Sequence, residues 1–495
     1  MALRLFNTLT GNIEEFQPAR DNTVRMYSCG LTVYDYGHIG NFRTFLDVDI
    51  LRRYLKQSGY QVQHVLNITD VDDKIIRNAA QRGLPIGEYT AKYIQAFRDD
   101  MALLSLETPE KIPLATEHIA EMAALIRSLV EKGHAYRTED GSYYFRISTF
   151  PEYGKLSKKD FEQMSDGARV DVDEYDKDNA RDFALWKAPR EGEACWETEI
   201  GPGRPGWHIE CSAMSLKYLG ENFDLHAGGE DLVFPHHENE IAQTEASTGC
   251  QFARFWMHVR FLLVEGEKMS KSLGNFYTLR DLVLMGHKPS SIRYLLASVP
   301  YRKQLNFTMD GLVQAASSVE RLRTFRGRLQ QTAWPAGENP EMKALAEKTT
   351  AAMRESLDDD LNTAQALAAV FDMVREVNAA ADAGKVQAGD VAPLLETLRN
   401  FDEIFDVLEE TDGDKIARTV EWARAEGLEA KISPALLESL KSAAISDAEI
   451  EALVAKHSAA RKARDFKTSD AIRDQLLAEG ILLENTREGV RWRRK

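Results

Sequence analysis

Two short elements of this chain have the residue types to act on a phosphate chain. His38-Ile39-Gly40-Asn41 lies near the start, and Lys268-Met269-Ser270-Lys271-Ser272 lies far downstream. Placed between a strand and a helix, the first element offers a ring nitrogen and backbone N–H groups at a helix N-terminus, where unpaired donors and the helix dipole favour phosphate. Gly40 has no side chain to hold a nucleotide away. Lys268 and Lys271 can meet the charge that grows on a departing pyrophosphate, and stabilising developing charge is usually the largest catalytic contribution. Small residues around them, ending in Leu273-Gly274-Asn275, suit a loop that closes over ATP. Alone, His38 reads as a helix cap and the lysine segment as a solvated basic turn. Together, in this order and this far apart, they point to attack on the α-phosphate of ATP. No Gly-x-x-x-x-Gly-Lys-Ser/Thr stretch exists, which excludes a P-loop enzyme. Asn41 departs from the second histidine usual in such an element; its amide donates but cannot carry a proton. The expected catalytic set is His38, Asn41, Lys268 and Lys271, with His38, Gly40, Asn41 and Lys271 on ATP.

A second constellation has the chemistry of a metal site. Cys29 ends the first strand, Cys211 ends Gly206-Trp207-His208-Ile209-Glu210-Cys211, and His236 and Glu240 are four apart on one predicted helix, so both share a face. Two thiolates, an imidazole and a carboxylate make a zinc shell. His237, three residues from Glu240, is the rival imidazole, and spacing does not choose between them. A metal one strand-end from the ATP element would touch the substrate. Zinc with an open position binds a thiol and deprotonates it, and serine and alanine offer no such sulfur. Selection by ligation would then exceed the roughly 10–200-fold that one methylene provides. The competing reading is four unrelated residues, with Cys29 and Cys211 as small buried hydrophobes. Cys195 and Cys250 have no such company and are expected to be structural or exposed.

These groups need a scaffold. Val24–Cys29 reads as a short buried strand, His38–Gln57 as a helix closed by Gly59, and Val62–Thr69 as a second strand. Strand, helix, strand begins a parallel doubly wound sheet. The pattern changes between Pro113 and Trp196, with a strand at Tyr143–Arg146 and a charged, exposed stretch at Lys158–Lys177, and is read as an insertion. The sheet resumes at Phe223–Ala227, followed by Gly228-Gly229 and a helix over Pro235–Ser247. Gly311–Leu408 is helical by composition and period, a bundle. Thr411–Ser446 is a linker or variable helical insert, and Ala448–Lys495 a closing module.

Bulk properties set limits. A chain of 495 residues holds two to four domains. No apolar run approaches the length needed to span a bilayer, and the first 16 residues lack the basic start and apolar core of a signal peptide. Four scattered cysteines fit a reducing cytosol. The net charge is −16, but residues 456–495 carry 11 Lys and Arg against 6 Asp and Glu, a local +5 on a body of −21. Charge alone leaves two readings: a chain that repels RNA generally and admits it at one end, or a solvated basic helix end.

At this point the motifs resemble the cysteinyl-tRNA synthetases of the bacterial type, class I enzymes. The likeness runs over nearly the whole chain and is densest at Ser28–Asp35 leading into His38–Asn41, at Gly203–Ser212, at Phe234–Glu240 and at Lys268–Ser272. It implies one zinc per chain on Cys29, Cys211, His236 and Glu240. It implies that Gly30, Thr32, Thr44, Asn67, Thr69, Trp207, Gly229 and Asp231 surround the aminoacyl-adenylate, with Lys271 on ATP and Mg2+ accompanying it. The fold it implies is α/β: a Rossmann-type parallel-sheet catalytic domain (1–112 and 197–260) split by a connective insertion (113–196). A stem-contact region with the lysine motif (261–310), an α-helical bundle (311–408), a linker or insert (409–447) and a small C-terminal α+β anticodon module (448–495) follow. The expected reaction joins L-cysteine to the 3′ end of tRNA(Cys) through an adenylate. The expected carrier is a cytoplasmic monomer with no membrane partner. Arg461, Lys462, Arg464, Lys467 and Arg473 would meet phosphates, and Trp492 would stack on a base or anchor the last strand. Pro300 stands where the family often has histidine.

Overall fold

The computed structural model describes residues 2–158, 182–442, 447–478, 481–486 and 489–494. The expected exposed stretch after Lys158 lies outside the described residues. Four parallel strands form the central sheet: β1 (Thr23–Ser28), β2 (Gln61–Leu66), β3 (Phe223–Gly229) and β4 (Ala253–Val259), in the order β4-β3-β1-β2. β1 is buried along most of its length, as a central parallel strand covered on both faces must be. From β1 the chain turns to β2 on one side, while β3 pairs on the other, with Ser28 opposite Ala227. The crevice between the carboxyl ends of β1 and β3 is therefore the point where strand order reverses, the place where such sheets bind ligands. The second expected strand ends at Leu66, three residues early, because Asn67–Thr69 turn away to serve the site.

Helix α1 (Ile39–Gln57) joins β1 to β2; α2 (Trp207–Leu219) precedes β3, and α3 (Glu238–Thr248) precedes β4. The helix expected from Pro235 is broken. Val233–His237 forms a separate wide turn with Phe234 extended, and regular helix begins at Glu238, since Pro235 has no N–H to donate. Three strands of the insertion, Ala135–Arg137, Tyr143–Phe145 and Phe183–Lys187, build a four-stranded antiparallel sheet with Arg204–Pro205, which lies beyond the expected insertion boundary at 196. Its Phe145, Phe183 and Trp186 share one apolar core with Tyr27, Val65, Ile209 and Phe223 of the main sheet layer.

The bundle contains α4 (Met309–Gln331), α5 (Pro340–Asp358), α6 (Thr363–Asp382) and α7 (Val391–Phe405). Thr308, Asn339 and Asn362 cap the first three through their side chains, and Pro340 opens α5, where its missing N–H costs nothing. The bundle is fastened to α1 by buried charge. Asp49 accepts from Arg293 at 2.7 Å, and Arg293 also donates to the carbonyls of Phe405 (2.6 Å) and Leu104 (2.8 Å).

Residues 1–278 and 290–409 form one compact unit, and 279–289 with 410–495 a second. Residues 279–289, expected inside the stem-contact region, thus cluster with the C-terminal part. Within that second unit Arg280 lies 4.3 Å from the Trp422 ring, and Lys431 pairs with Asp281 at 2.9 Å. The stretch expected as linker or insert carries the helices Asp412–Ala425 and Pro434–Ser442. The closing segment has helices Asp447–Lys462 and Phe466–Ala478 and the hairpin Ile481–Thr486 with Gly489–Arg494, around Ile450, Val454, Leu476 and Ile481. Trp492 packs against that small core, the anchoring role. Arg461, Lys462, Lys467 and Arg473 lie on its two helices, and Arg464 between them is left-handed at φ +63. Among the described residues no helix is long and apolar enough to cross a membrane.

Two stability predictions follow from buried polar groups. Arg293→Met leaves Asp49 and two carbonyls without this partner, and should cost about 3–5 kcal/mol in urea unfolding; Arg375→Met, from an ion pair 64% exposed, should leave the midpoint unchanged. Burial pulls His64 down to about 3, where its Nε2 lies 2.7 Å from Ser28 Oγ. The unfolded chain therefore takes up this proton first, and the stability His64 contributes is lost as pH falls from about 6.5 towards 3. His64→Gln should flatten the fall in Tm between pH 6.5 and 4.5.

Candidate functional site

The site is assembled where β1, β3 and the N-terminus of α1 meet. His38 caps α1: its Nδ1 accepts from the Asn41 N–H at 3.2 Å, while Asn41 Oδ1 accepts from the His38 N–H at 3.1 Å. This reciprocal box settles the ring's chemistry. Nδ1 must present a lone pair, and burial pulls His38 down to about 4 against the opposing influence of Asp231. At neutral pH the ring is uncharged, and its proton sits on Nε2 as a donor. Asn41 is thus engaged in shaping the helix end.

The lysine segment docks on the same helix end. Ile39 N–H donates to Tyr277 O at 3.0 Å, and Phe276 meets the His38 ring edge-on at 5.2 Å. A Cβ on Gly40 would lie 3.0 Å from the His38 ring and 3.4 Å from Met269 Cε, so this glycine sits beneath the loop. Lys271 Nζ is 2.6 Å from Asp35 Oδ2 and 5.1 Å from the Phe276 ring centre; Asp35 pushes the lysine's pKa up. The pair is largely exposed, 65% for the lysine and 35% for the aspartate, so it is weak and readily exchanged for a phosphate. Lys268 is exposed on the strand Glu267–Lys268, its carbonyl accepting from Asn275.

The residues expected around the adenylate fall into two connected groups. Gly30 N–H donates to Asn67 Oδ1 (2.9 Å), Asn67 Nδ2 to Thr69 Oγ1 (3.2 Å), and Thr69 Oγ1 to Glu210 Oε2 (2.9 Å). Thr32 bridges Thr69 in parallel. A Cβ on Gly30 would lie 1.6 Å from Asn67 O, so no other residue fits. In the second group, a Cβ on Gly229 would stand 2.4 Å from Asp231 Oδ1 and 3.8 Å from Thr44 Oγ1. Trp207, 36% exposed, stacks on His236 at 4.3 Å.

The donor atoms of Cys29, Cys211, His236 and Glu240 all lie within 4.8 Å of one another and are buried. Cys29 Sγ is 3.8 Å from Cys211 Sγ and 3.6 Å from Glu240 Oε1, and His236 Nε2 is 2.9 Å from that oxygen. A second set, Cys29, His226, His237 and Glu240, meets the same distance limit. The first has two sulfurs, the softer donor set and the better match to zinc. In it Glu240 turns Oε1 to the cluster while Oε2 lies 2.8 Å from His226 Nε2, an outer partner that orients the carboxylate. Charge agrees with this choice. Burial raises Cys211, but hydrogen bonds from Cys29 and His236 outweigh it and lower the thiol. Burial likewise raises Glu240, and His226 and His236 hold it down at about 2. His236 is pulled down by burial and pushed up further by Glu240 and Cys211, to about 10. Two anionic donors and a proton that a dication would displace make a fitting metal cradle. Cys195 and Cys250 are exposed.

Sequence reasoning missed Asp35, Glu210 and the histidines His208, His226 and His258 around the cluster. His208 Nδ1 is 3.0 Å from His236 Nδ1, and His258 Nε2 is 2.8 Å from His237 Nδ1. Glu210, beside Cys211 in the chain, was the one a closer reading of that motif could have found; the histidines share no spacing.

Comparisons with known proteins give the family and the fold. Residues 15–317 match the family described as tRNA synthetases class I (C) catalytic domain, and residues 352–409 match the DALR domain. A cysteine–tRNA ligase of Koribacter versatilis is 66% identical over 495 residues, covering all of both chains. One from Solibacter usitatus is 56% identical, again over the whole of both. In fold, the chain is similar to Mycobacterium tuberculosis methionyl-tRNA synthetase in complex with methionyl-adenylate, with TM-score 0.56 and 16% identity, over 85% of this chain and 94% of that one.

Cys211→Ser should lower bound zinc per chain and cysteine-dependent pyrophosphate exchange together, read by metal analysis and the exchange assay. Full activity in metal-free protein would remove the metal from this site. A metal held by this set would displace the His236 proton, so metal retention should also weaken as pH falls.

Proposed function

The chain belongs to the cysteine–tRNA ligase family of class I tRNA synthetases, and on that premise we propose how its residues divide the work. It ligates L-cysteine to the 3′ end of tRNA(Cys) at the expense of ATP, through a cysteinyl-adenylate. The observation that carries the reading is the meeting of His38, Gly40 and the lysine loop on one helix end, beside a buried thiol-rich cluster. Cys29, Cys211, His236 and Glu240 would hold zinc, which when bound supplies a soft Lewis acid for the cysteine sulfur. Mg2+ accompanies ATP and offsets its charge.

In the first step the cysteine carboxylate attacks the α-phosphorus and pyrophosphate leaves. His38 donates its Nε2 proton as a hydrogen bond to a phosphate oxygen without transferring it. Gly40 lets the nucleotide lie against the helix end, and Asn41 keeps the His38 ring in its tautomer. Lys271 leaves Asp35 for the departing phosphates, with Lys268 beside it. Catalysis is positioning and charge, and no covalent enzyme intermediate is needed. Gly30, Asn67, Thr69 and Thr32 form one wall of the amino-acid pocket, Gly229, Asp231 and Thr44 the wall towards the adenylate, and Trp207 covers the cysteine side chain. In the second step a ribose hydroxyl at the tRNA 3′ end, the 2′-OH by analogy, attacks the anhydride. The basic residues Arg461, Lys462, Arg464, Lys467 and Arg473 would meet anticodon-arm phosphates. The enzyme acts as a cytoplasmic monomer in this reading.

Transfer of labelled cysteine to total tRNA, with ATP and Mg2+, tests the whole. Charging is expected; cysteine-dependent pyrophosphate exchange without charging would redirect the acceptor to a small molecule. Lys271→Ala should lower the exchange rate by about a hundredfold or more, with the KM for cysteine little changed. Loss of cysteine affinity at unchanged rate would make the loop a substrate-binding element only. The His38 ring titrates near pH 4, so the exchange rate should show no inflection from it between pH 6 and 8.

A further inference from the structure

A lysine loop that closes on phosphates must return to one place each time. Its hairpin pairs Leu263 with Lys268, and Leu263–Val264 runs parallel to Asn306–Phe307. Main-chain bonds fix its base to the returning segment: Arg260 N to Tyr301 O (2.8 Å), Leu263 N to Leu305 O (2.8 Å) and Glu265 N to Phe307 O (3.0 Å). The hairpin therefore stands wherever residues 300–307 are held.

That segment is gripped from two sides. On one, Arg43 of α1, 1% exposed, donates to Lys303 O at 2.5 Å and Pro300 O at 3.4 Å. On the other is Asp360, just past α5. Its carboxylate accepts from Tyr301 Oη (2.6 Å), Arg302 Nη1 (2.7 Å) and the Phe6 N–H (2.8 Å), and its own N–H donates to Arg4 O (2.9 Å). Asp360 and Leu361 are both left-handed, at φ +57 and +51, and Leu361 is 2% exposed. Two consecutive non-glycine residues hold that conformation only where their surroundings over-determine it. Ending α5 does not require the pair; bringing one carboxylate to three donors on two separate segments does.

We propose that Asp360 is a positioning residue for adenylate formation, setting through Tyr301 and Arg302 the base from which the Lys268–Ser272 loop reaches ATP. This inference rests on the reading of that loop as the ATP contact. The test is pyrophosphate exchange in the full-length enzyme, with kcat and both KM values measured alongside Tm. Asp360→Ala and Tyr301→Phe should lower kcat, the former on the order of ten- to a hundredfold, since small misplacements cost that much. The KM for cysteine should stay within about twofold, because the amino-acid pocket is untouched. Asp360→Asn should recover most of the rate, as asparagine tolerates the left-handed region and keeps an acceptor. Unchanged kcat in Asp360→Ala, a KM for cysteine rising in step with the loss, or an Asn variant as slow as the Ala variant would each overturn the proposal. If Asp360→Ala does not fold, Tyr301→Phe decides by the same criteria. Lys271→Ala is the control: normal kcat there refutes the loop's role itself, whereas a slow Lys271→Ala beside a normal Asp360→Ala refutes only the proposal.

Discussion

Helix α1 buries charge along its whole length, and a charge taken out of water must be paired where it ends up. Arg43, Asp47, Asp49 and Arg52 are each under 5% exposed. The helix's polar partners lie partly on α1 itself and mostly elsewhere in the first unit. Arg52 reaches Glu107 and Glu110, Arg53 reaches Asp49 and Asp406, and Tyr54 donates to Asp358. Gln57 reaches Glu403, and Asp49 takes Arg293. A helix so tied has one orientation available to it. Its N-terminus, which carries the His38 cap, is aimed by bonds made several turns away. Asp47 is the least well served: burial raises it to about 7, and Arg43, 3.8 Å away, lowers it only in part.

The metal cluster obeys the same rule in another form. Glu240 is fully buried and spends one oxygen on the cluster and the other on His226. The candidate metal donors, from just past β1, from α2, from the turn before α3 and from α3 itself, meet where the strand order reverses between β1 and β3. The thiol cluster and the capped helix end thus share one strand terminus: Cys29 directly follows β1, and His38 caps the helix that comes next. Candidate residues for both ends of the site thus fall within ten residues of chain.

Much of this was legible because it is local or patterned. The β1–α1–β2 unit follows from buried runs and a closing Gly59, and the bundle from period and caps. His38, the lysine motif and the four metal donors are short motifs whose residue types carry their own chemistry. Spacing to Glu240 could not separate His236 from His237, and both histidines take part in four-donor sets in the fold; the set with His236 is the one that includes Cys211. Asp35 and His226 could not be read at all, because each acts through a partner distant in sequence. The break before Glu238 was signalled by Pro235 and passed over in favour of a continuous helix. Residues 279–289 gave no local sign that they would cluster with Trp422 and Lys431.

The unbroken core between the sheet and the insertion says something about how the chain comes apart. Phe145, Phe183 and Trp186 belong to the insertion, yet they pack in the same apolar cluster as Tyr27, Cys29 and Cys211. Elements that share buried apolar contacts resist opening together. The insertion is then no independent foldon, and its slowest-exchanging amides should open in the same event as those of β1. A local opening that exposed the insertion's aromatics would uncover the thiols as well, so protection of Cys29 and Cys211 from oxidants is a property of the whole sheet layer.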